Sequence, residues 1–251
     1  MSVTVTVVAS EAALAEEAAH AVTGAAEEAV RHAGRFTLAL SGGNTPRRLY
    51  ARLATPPFRS RIDWPRVDVF WGDERCVPPD HPDSNYRLAY ESLLSRVPIP
   101  PERIHRMRGE DPDPERAAQE YARELERVFN LDPGGRPRFD LILLGLGADG
   151  HTASLFPGSA TLNETARLAV ATYAEPVKGY RLTLTLPVLN AAARVIFLVS
   201  GETKAEALRA ALNDGASPNR PASLIWPERG AFWLVDRDAA RRLAGRADGD
   251  R

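Results

Sequence analysis

Short apolar segments alternate with longer amphipathic segments along this chain, and this alternation restricts the possible folds more than any other feature. The clearest predicted strands are Phe36 to Leu40, Val67 to Trp71, Leu141 to Leu144, Val195 to Val199 and Phe232 to Val235. The predicted helices run from about Glu11 to His32, Pro46 to Leu53, Ser84 to Leu94, Pro114 to Phe129 and Glu202 to Leu212. Because helices separate successive strands, the sequence predicts an α/β fold with three αβα layers and a mostly parallel, doubly wound central sheet.

The length and composition are those of one globular domain. The chain has 251 residues, of which 44% are hydrophobic and 26% are charged, and α/β folds of this size commonly form a single unit. Proline and glycine cluster only in short stretches between the predicted elements, and none is long enough to be a linker. We therefore expect residues 1–251 to form a single domain.

Charge and cysteine content exclude several classes of function. The net charge is −1, so no overall field draws the protein to nucleic acid or to an anionic membrane. Cys76 is the only cysteine, which rules out an intrachain disulfide and fits a reducing compartment. The segment Val3 to Val7 alternates instead of forming a signal peptide, and the apolar runs are far shorter than the ~20 residues that span a bilayer. The sequence predicts a cytoplasmic protein with no nucleic-acid or membrane partner.

A glycine-rich turn follows the first of these strands. It reads Ser41-Gly42-Gly43-Asn44-Thr45-Pro46, in which Thr45 is the predicted N-cap and Pro46 the first residue of a helix. Gly42 and Gly43 allow backbone N–H groups to approach a phosphate, and the hydroxyls of Ser41 and Thr45 add hydrogen bonds. We favour an anion site here over an ordinary strand-to-helix turn, which needs only one glycine.

Charged residues follow the strand Val67 to Trp71, where open α/β sheets bind ligands. Arg75 is a candidate ligand for phosphate or carboxylate oxygens, and Asp73 for holding a sugar hydroxyl or orienting Arg75. A surface salt bridge within this segment explains the same residues equally well. Cys76 adjoins Arg75, a neighbour that can lower a thiol pKa, but no histidine partner is recognisable, so a nucleophile is not favoured.

The segment from Phe139 to Pro157 carries the strongest signal of chemistry. A buried strand leads into a glycine-rich turn that holds Asp149 and His151, two residues apart, which is the pairing that a general base requires. The glycines match a dinucleotide-binding pattern, but such a unit usually opens its domain, so we discount NAD binding. The remaining histidines lack such neighbours in the sequence and are interpreted as structural: His20, His32, His81 and His105.

Two later segments supply further cations. Gly179 to Pro187 alternates as a half-buried strand and contains Arg181, while Lys204 follows the strand Val195 to Val199. Both are candidate phosphate ligands, and for Arg181 a solvated position on the surface is the alternative. Lys178, the other lysine, is interpreted as part of a solvated loop.

These segments, in this order, resemble the 6-phosphogluconolactonase family, within the wider glucosamine-6-phosphate deaminase and isomerase group. The similarity runs from Leu38 to about Trp233, and its most specific part is Gly147-Ala148-Asp149-Gly150-His151-Thr152-Ala153-Ser154-Leu155-Phe156-Pro157. The supporting segments begin at Leu40, Trp71, Asp83, Arg181 and Gly201.

The resemblance implies a three-layer αβα fold, no cofactor and no metal, and hydrolysis of 6-phospho-D-glucono-1,5-lactone to 6-phosphogluconate. By position, His151 would activate water and Asp149 would orient it. The resemblance assigns the binding of phosphate, or the stabilisation of the oxyanion, to Ser41, Gly42, Gly43, Arg75, Arg181 and Lys204. The expected partner is a sugar-phosphate lactone, and the expected assembly is a monomer or a small homo-oligomer.

Two other activities remain as alternatives within the resemblance. Deaminases of the group carry a glutamate, which serves ring opening, where this chain has Phe156. Their proton-abstracting aspartate corresponds to Asp73, which in a lactonase we interpret as a positioning residue. A phenylalanine cannot transfer protons, so hydrolysis is preferred to isomerisation or deamination. A non-catalytic sugar-phosphate sensor is the second alternative.

Overall fold

Six parallel strands form the central sheet of the protein. The computed structural model describes residues 3–175 and 179–243, so Lys178 lies outside the described residues. The strands of this sheet are β1 (Thr4–Val8), β2 (Phe36–Leu40), β3 (Val67–Trp71), β5 (Leu141–Leu144), β8 (Val195–Val199) and β9 (Ala231–Asp236). Their order is β1-β9-β8-β5-β2-β3, and every neighbouring pair is parallel.

Helices cover both faces of this sheet. They are α1 (Glu11–Ala33), α2 (Asn44–Leu53), α3 (Phe58–Arg61), α4 (Asn85–Ser92), α5 (Pro114–Phe129), α6 (Leu186–Asn190), α7 (Ala205–Asn213) and α8 (Arg237–Ala240). Successive strand residues face opposite sides: in β5, Leu141 and Leu143 join the core under α1 and α2, whereas Ile142 and Leu144 join the core under α5 and α7. The three-layer, mostly parallel architecture predicted from the sequence is confirmed.

The connections reverse direction between β2 and β5. From β2 the chain passes through α2 and α3 to β3 at one edge, and from β5 it proceeds the other way to β8 and β9. In a doubly wound sheet, ligands bind outside the carboxyl ends of the strands at such a switch point. The two glycine-rich turns of the sequence follow β2 and β5, so the topology brings them to this one place.

A second, three-stranded antiparallel sheet was not predicted. It consists of β4 (Asp73–Arg75), β7 (Gly179–Leu184) and β6 (Ala169–Ala174), in that order. The residues of β4 were predicted only as charges that follow β3, because three charged residues carry no strand pattern. This small sheet brings Arg181 of β7 beside Arg75 of β4.

Within the described ranges, no helix combines the length and the apolar character that crossing a membrane requires.

Candidate active site

A cavity of about 620 Å³ opens at the carboxyl ends of β2, β3, β5 and β8. Nine of the ten residues predicted for the site line it: Ser41, Gly42, Gly43, Thr45, Asp73, Arg75, His151, Arg181 and Lys204. The tenth, Asp149, does not line the cavity, but it is in contact with His151, which does. The structure therefore brings together residues that are as far apart in the sequence as Ser41 and Lys204.

The turn after β5 holds Asp149 and His151 in contact. Its backbone closes through hydrogen bonds from Gly147 N to the His151 carbonyl at 2.8 Å and from Gly150 N to the Gly147 carbonyl at 3.0 Å. Asp149 Oδ1 lies 2.6 Å from His151 Nδ1 and accepts a second hydrogen bond from His151 N at 3.1 Å. Gly150 has a φ of 87°, a conformation that favours glycine.

This contact fixes the tautomer of the histidine. Burial raises the pKa of Asp149, but the hydrogen bonds and charge of His151 outweigh it and leave that pKa below its ordinary value. An ionised carboxylate only accepts hydrogen bonds, so His151 Nδ1 carries the proton and Nε2 is the basic nitrogen. Nε2 has no protein partner among the described residues, and the side chain is 33% exposed. The ring can therefore take a proton from a water in the cavity.

Position 147 requires a glycine because the side chains of His151 and Asp149 lie directly against it. A methyl group in its place would overlap both His151 Nδ1 and Asp149 Oδ1. Phe156 also packs against the imidazole, with its ring centroid 4.7 Å from that of His151. The imidazole is thus in contact with an apolar ring and with a turn that leaves no room for a side chain at position 147.

The turn after β2 differs from the prediction at its cap. Helix α2 begins at Asn44 with Gly43 as its N-cap, at a φ of 106°, so the assignment of Thr45 as N-cap is wrong. Gly43 can adopt this backbone conformation without a Cβ penalty, and the helix therefore begins two residues earlier than predicted. Thr45 lies in the first turn of α2 and still lines the cavity.

The hydroxyl of Tyr50 holds the backbone of Ser41 through two hydrogen bonds. The Tyr50 hydroxyl accepts from Ser41 N at 2.9 Å and donates to the Ser41 carbonyl at 2.7 Å. Ser41 Oγ is buried and has no hydrogen-bond partner among the described residues. A buried hydroxyl without a partner is costly, so a ligand atom in the cavity would satisfy it.

Two arginines lie side by side on adjacent strands of the small sheet. Arg75 and Arg181 are register partners on β4 and β7, and like charges directly opposite are destabilising. Burial, and then the charge of Arg75, lowers the pKa of Arg181. The guanidinium of Arg75 donates to the Asp83 carbonyl at 2.7 Å, while its buried Nε has no partner among the described residues. An anion bound between the two guanidiniums would relieve this repulsion.

The acidic residues beside Arg75 have other partners. Asp73 does not orient Arg75, and no salt bridge forms within the segment; instead Asp73 accepts hydrogen bonds from Ser154 Oγ at 2.7 Å and from Asn85 Nδ2 at 3.3 Å. The buried carboxylate of Glu74 accepts hydrogen bonds from two backbone N–H groups, both at 2.7 Å. One belongs to Asn85, the first residue of α4, and the other to Arg75. Burial raises the pKa of Glu74, and these hydrogen bonds oppose that shift.

Asn85 and Ser154 line the candidate site, but no role was predicted for either of them. Both line the cavity, and Asn85 also fills the space beside Gly42, where a Cβ would overlap its amide. Both belong to the segments that carried the family resemblance, but their partner Asp73 is distant in the sequence. Only the folded chain shows that they hold one carboxylate.

Cys76 does not have the character of a nucleophile. Burial raises its pKa to about 11, and the nearby charge of Arg181 offsets only part of this. The proximity of Arg75 therefore does not produce a reactive thiolate. In the described part of the chain, no three His, Cys, Asp or Glu side chains cluster as metal ligands.

Comparison with known proteins identifies the family. The family model described as "Glucosamine-6-phosphate isomerases/6-phosphogluconolactonase" matches residues 9–234. A 6-phosphogluconolactonase of Synechocystis sp. is 45% identical, over 92% of this chain and 94% of the relative. A 6-phosphogluconolactonase of Nostoc sp. is 40% identical, over 97% of this chain and all of the relative (100%).

Solved structures agree with this result. The 6-phosphogluconolactonase of Trypanosoma brucei superposes with a TM-score of 0.86 at 30% identity, covering 97% of this chain and 99% of that one. A monomeric glucosamine-6-phosphate deaminase superposes with a TM-score of 0.80 at 23% identity, covering 95% of this chain and 99% of that one, and so shares the fold. This chain belongs to the glucosamine-6-phosphate isomerase/6-phosphogluconolactonase family.

Proposed function

We propose that this chain hydrolyses 6-phospho-D-glucono-1,5-lactone to 6-phospho-D-gluconate in the oxidative pentose phosphate pathway. One observation carries the proposal beyond family membership. His151 is held by Asp149 through Nδ1, its Nε2 has no partner among the residues that the structure describes, and three cationic side chains line the same cavity. A base near cations is what attack of water on a phosphorylated ester requires.

The proposed mechanism uses His151 twice. Neutral His151 removes a proton from water as the water oxygen bonds to C1 of the lactone, and the carbonyl oxygen becomes an oxyanion. The bond from C1 to the ring oxygen then breaks, and the imidazolium returns the proton to that oxygen. The product carries a new hydroxyl and a carboxylic acid, which ionises. Asp149 stabilises the imidazolium between the two steps, as its lowered pKa favours.

The cations and the glycine-rich turn would bind the rest of the substrate. Arg75, Arg181 and Lys204 would bind phosphate or stabilise the oxyanion, with Ser41 Oγ and the backbone of Gly42 and Gly43 as further donors. Alanine substitution of each cation separates the two roles. Loss of a phosphate ligand raises KM, whereas loss of an oxyanion ligand lowers kcat.

Two contacts favour hydrolysis over deamination or isomerisation. Phe156 places an apolar ring against His151, where it can neither accept nor donate a proton. Asp73 accepts hydrogen bonds from Ser154 and Asn85, which suits a carboxylate that positions a sugar hydroxyl better than one that abstracts protons.

A coupled assay tests the proposed activity. Freshly prepared lactone, with 6-phosphogluconate dehydrogenase and its cofactor, should give a rate well above spontaneous hydrolysis when this protein is added. Glucosamine 6-phosphate should release no ammonia. A lactone rate equal to the spontaneous background would overturn the proposal, and ammonia release would support the deaminase alternative. Tight binding without turnover would indicate a sensor.

We also propose a cytoplasmic location and activity without a cofactor, as a monomer or small homo-oligomer. Dialysis against a chelator should leave the lactone rate unchanged. Light scattering during size-exclusion chromatography would give the assembly, for which the mass of one chain is 27.4 kDa.

A further inference from the structure

Asp236 is a buried carboxylate at the end of β9 that does not line the cavity. Its residue is 4% exposed, and a buried carboxylate needs several hydrogen bonds to be tolerated. One of these bonds is local: Oδ1 accepts from Ala239 N at 2.8 Å and so caps α8. The remaining bonds reach a different part of the molecule.

The same carboxylate binds the turn that follows the neighbouring strand β8. Oδ2 accepts from Ser200 Oγ at 2.5 Å, and Oδ1 accepts from Gly201 N at 3.1 Å. Ser200 and Gly201 both line the cavity. Hydrogen bonds to an ionised acceptor are stronger than neutral ones, so this carboxylate fixes the start of the turn.

The turn leads directly to Lys204. Gly201 has a φ of 92°, and its carbonyl accepts from Lys204 N at 3.1 Å, which closes a 3-10 turn over residues 202–204. No ion pair joins Lys204 to a carboxylate within residues 3–175 and 179–243. The backbone path from Asp236 through Gly201 therefore sets the position of Lys204.

We propose that Asp236 is a positioning residue that acts on the reaction through Lys204, an inference that rests on the proposed function. Its two oxygens hold two donors of the turn in addition to the helix cap. An asparagine at position 236 would offer only one acceptor oxygen, and its NH₂ group, which cannot accept a hydrogen bond, would face one of those donors. A serine at position 236 would still cap α8, but its side chain is too short to reach Ser200 and Gly201.

A double-mutant cycle separates this role from a purely structural one. Asp236→Asn and Asp236→Ser should each lower kcat/KM by about 10-fold to 10²-fold, because small displacements of a substrate-binding group are costly. In a Lys204→Ala background, Asp236→Asn should add less than about 2-fold, because the group through which it acts is already missing. The parameter affected, KM or kcat, should be the same for Asp236→Asn and Lys204→Ala.

Asp140→Asn is the matched control at the opposite end of the sheet. Asp140 accepts from Thr37 N at 2.8 Å and Thr37 Oγ1 at 2.7 Å, away from the cavity, so kcat/KM should not change. The kcat/KM of each variant is divided by the fraction of that variant that is folded, as determined by urea unfolding.

The wild-type lactone rate is measured first, since its absence would refute the proposed function and not this inference. In that case calorimetric titration with 6-phosphogluconate compares the same variants. The inference is overturned if Asp236→Asn keeps wild-type kcat/KM, if its effect persists undiminished in Lys204→Ala, or if both Asp236 variants unfold while Asp140→Asn folds.

Discussion

His151 and His105 both contact a carboxylate, yet their surroundings differ in the one respect that matters for catalysis. His151 Nδ1 lies 2.6 Å from Asp149 and its Nε2 is free in the described structure. His105 Nδ1 lies 2.7 Å from Glu124, and its Nε2 lies 3.2 Å from Asp68. The side chain of His105 is 4% exposed, against 33% for His151. A histidine–carboxylate pair is therefore not sufficient to indicate a base, which needs a free nitrogen facing a cavity.

The same comparison explains what each pair does for the protein. His105 stacks on Phe70 at 4.5 Å and connects β3 to α5 through Asp68 and Glu124. Its two contacts use both ring nitrogens, so it can stabilise the fold but cannot accept a proton from substrate. His151 has one nitrogen in contact with Asp149 and leaves the other without a partner among the described residues, as the proposed role of a base requires.

Crowding the His151 pair should have the largest effect among the changes around the two histidines. Gly147→Ala introduces a methyl group that overlaps His151 Nδ1 and Asp149 Oδ1, so kcat should fall at least about 10²-fold. Gly145→Ala, in the same turn, meets no atom within 4 Å and should lose far less. Steady-state kinetics of both variants provide the check, and equal losses would contradict the steric explanation.

Removing the carboxylate charge should distinguish the two pairs. Asp149→Asn can stabilise the wrong tautomer of His151, and we expect kcat to fall about 10-fold to 10²-fold. Glu124→Gln makes the matched change beside His105 and should leave kcat unchanged. If Glu124→Gln lost as much activity as Asp149→Asn, the functional distinction between the two histidines would be wrong.

Substitution of His105 should lower the stability of the fold and not the catalytic rate. His105→Gln removes partners of Asp68 and Glu124, and we expect the free energy of unfolding to fall by about 1 to 3 kcal/mol. The kcat of the folded enzyme should be unaffected. Urea unfolding and lactone kinetics on the same preparation test this expectation.

This change should also alter stability in acid. Burial raises the pKa of Asp68, but His105 and Arg103 outweigh it and leave that pKa lowered. A lowered carboxylate pKa contributes stability at neutral pH, and this stability is lost as pH falls through the folded-state value. In His105→Gln the pKa of Asp68 should rise toward its ordinary value, so acid unfolding should begin at a higher pH. An unchanged acid midpoint would argue against the ion-pair role.

Cys76 should give the smallest effect. Because its pKa is raised to about 11, the thiol stays protonated until pH approaches that value, and alkylation by iodoacetamide should be slow at pH 8. Cys76→Ser should change kcat/KM by less than about 2-fold, because Cys76 does not line the cavity. Rapid alkylation with loss of activity would reopen the question of a nucleophile.

The sequence predicted the central layers well because their signals are local. The limits of β2, β3, β5 and β8 match the predicted strands, since each is an apolar run buried on both faces. Helix α5 matches as well, from Pro114 to Phe129 with Asp113 as its cap. The small sheet was missed because β4 is three residues long and pairs with β7, more than 100 positions later.

The site was predictable where one segment carries its chemistry. The turn that contains Asp149 and His151 is contiguous, and its Asp–His contact was expected from spacing alone. The partners of Asp73, and the carboxylates that flank His105, come from separate elements and could not be paired by sequence. For the same reason, no carboxylate neighbour of His105 could be predicted from the sequence.

The most direct test of the central claim is the turnover of His151→Asn on fresh lactone, corrected for spontaneous hydrolysis. If His151 is the water-activating base, kcat should fall about 10²-fold or more, with the unfolding midpoint close to that of the wild type because the ring is partly exposed. A folded His151→Asn variant that kept near wild-type turnover above the spontaneous rate would contradict the assignment.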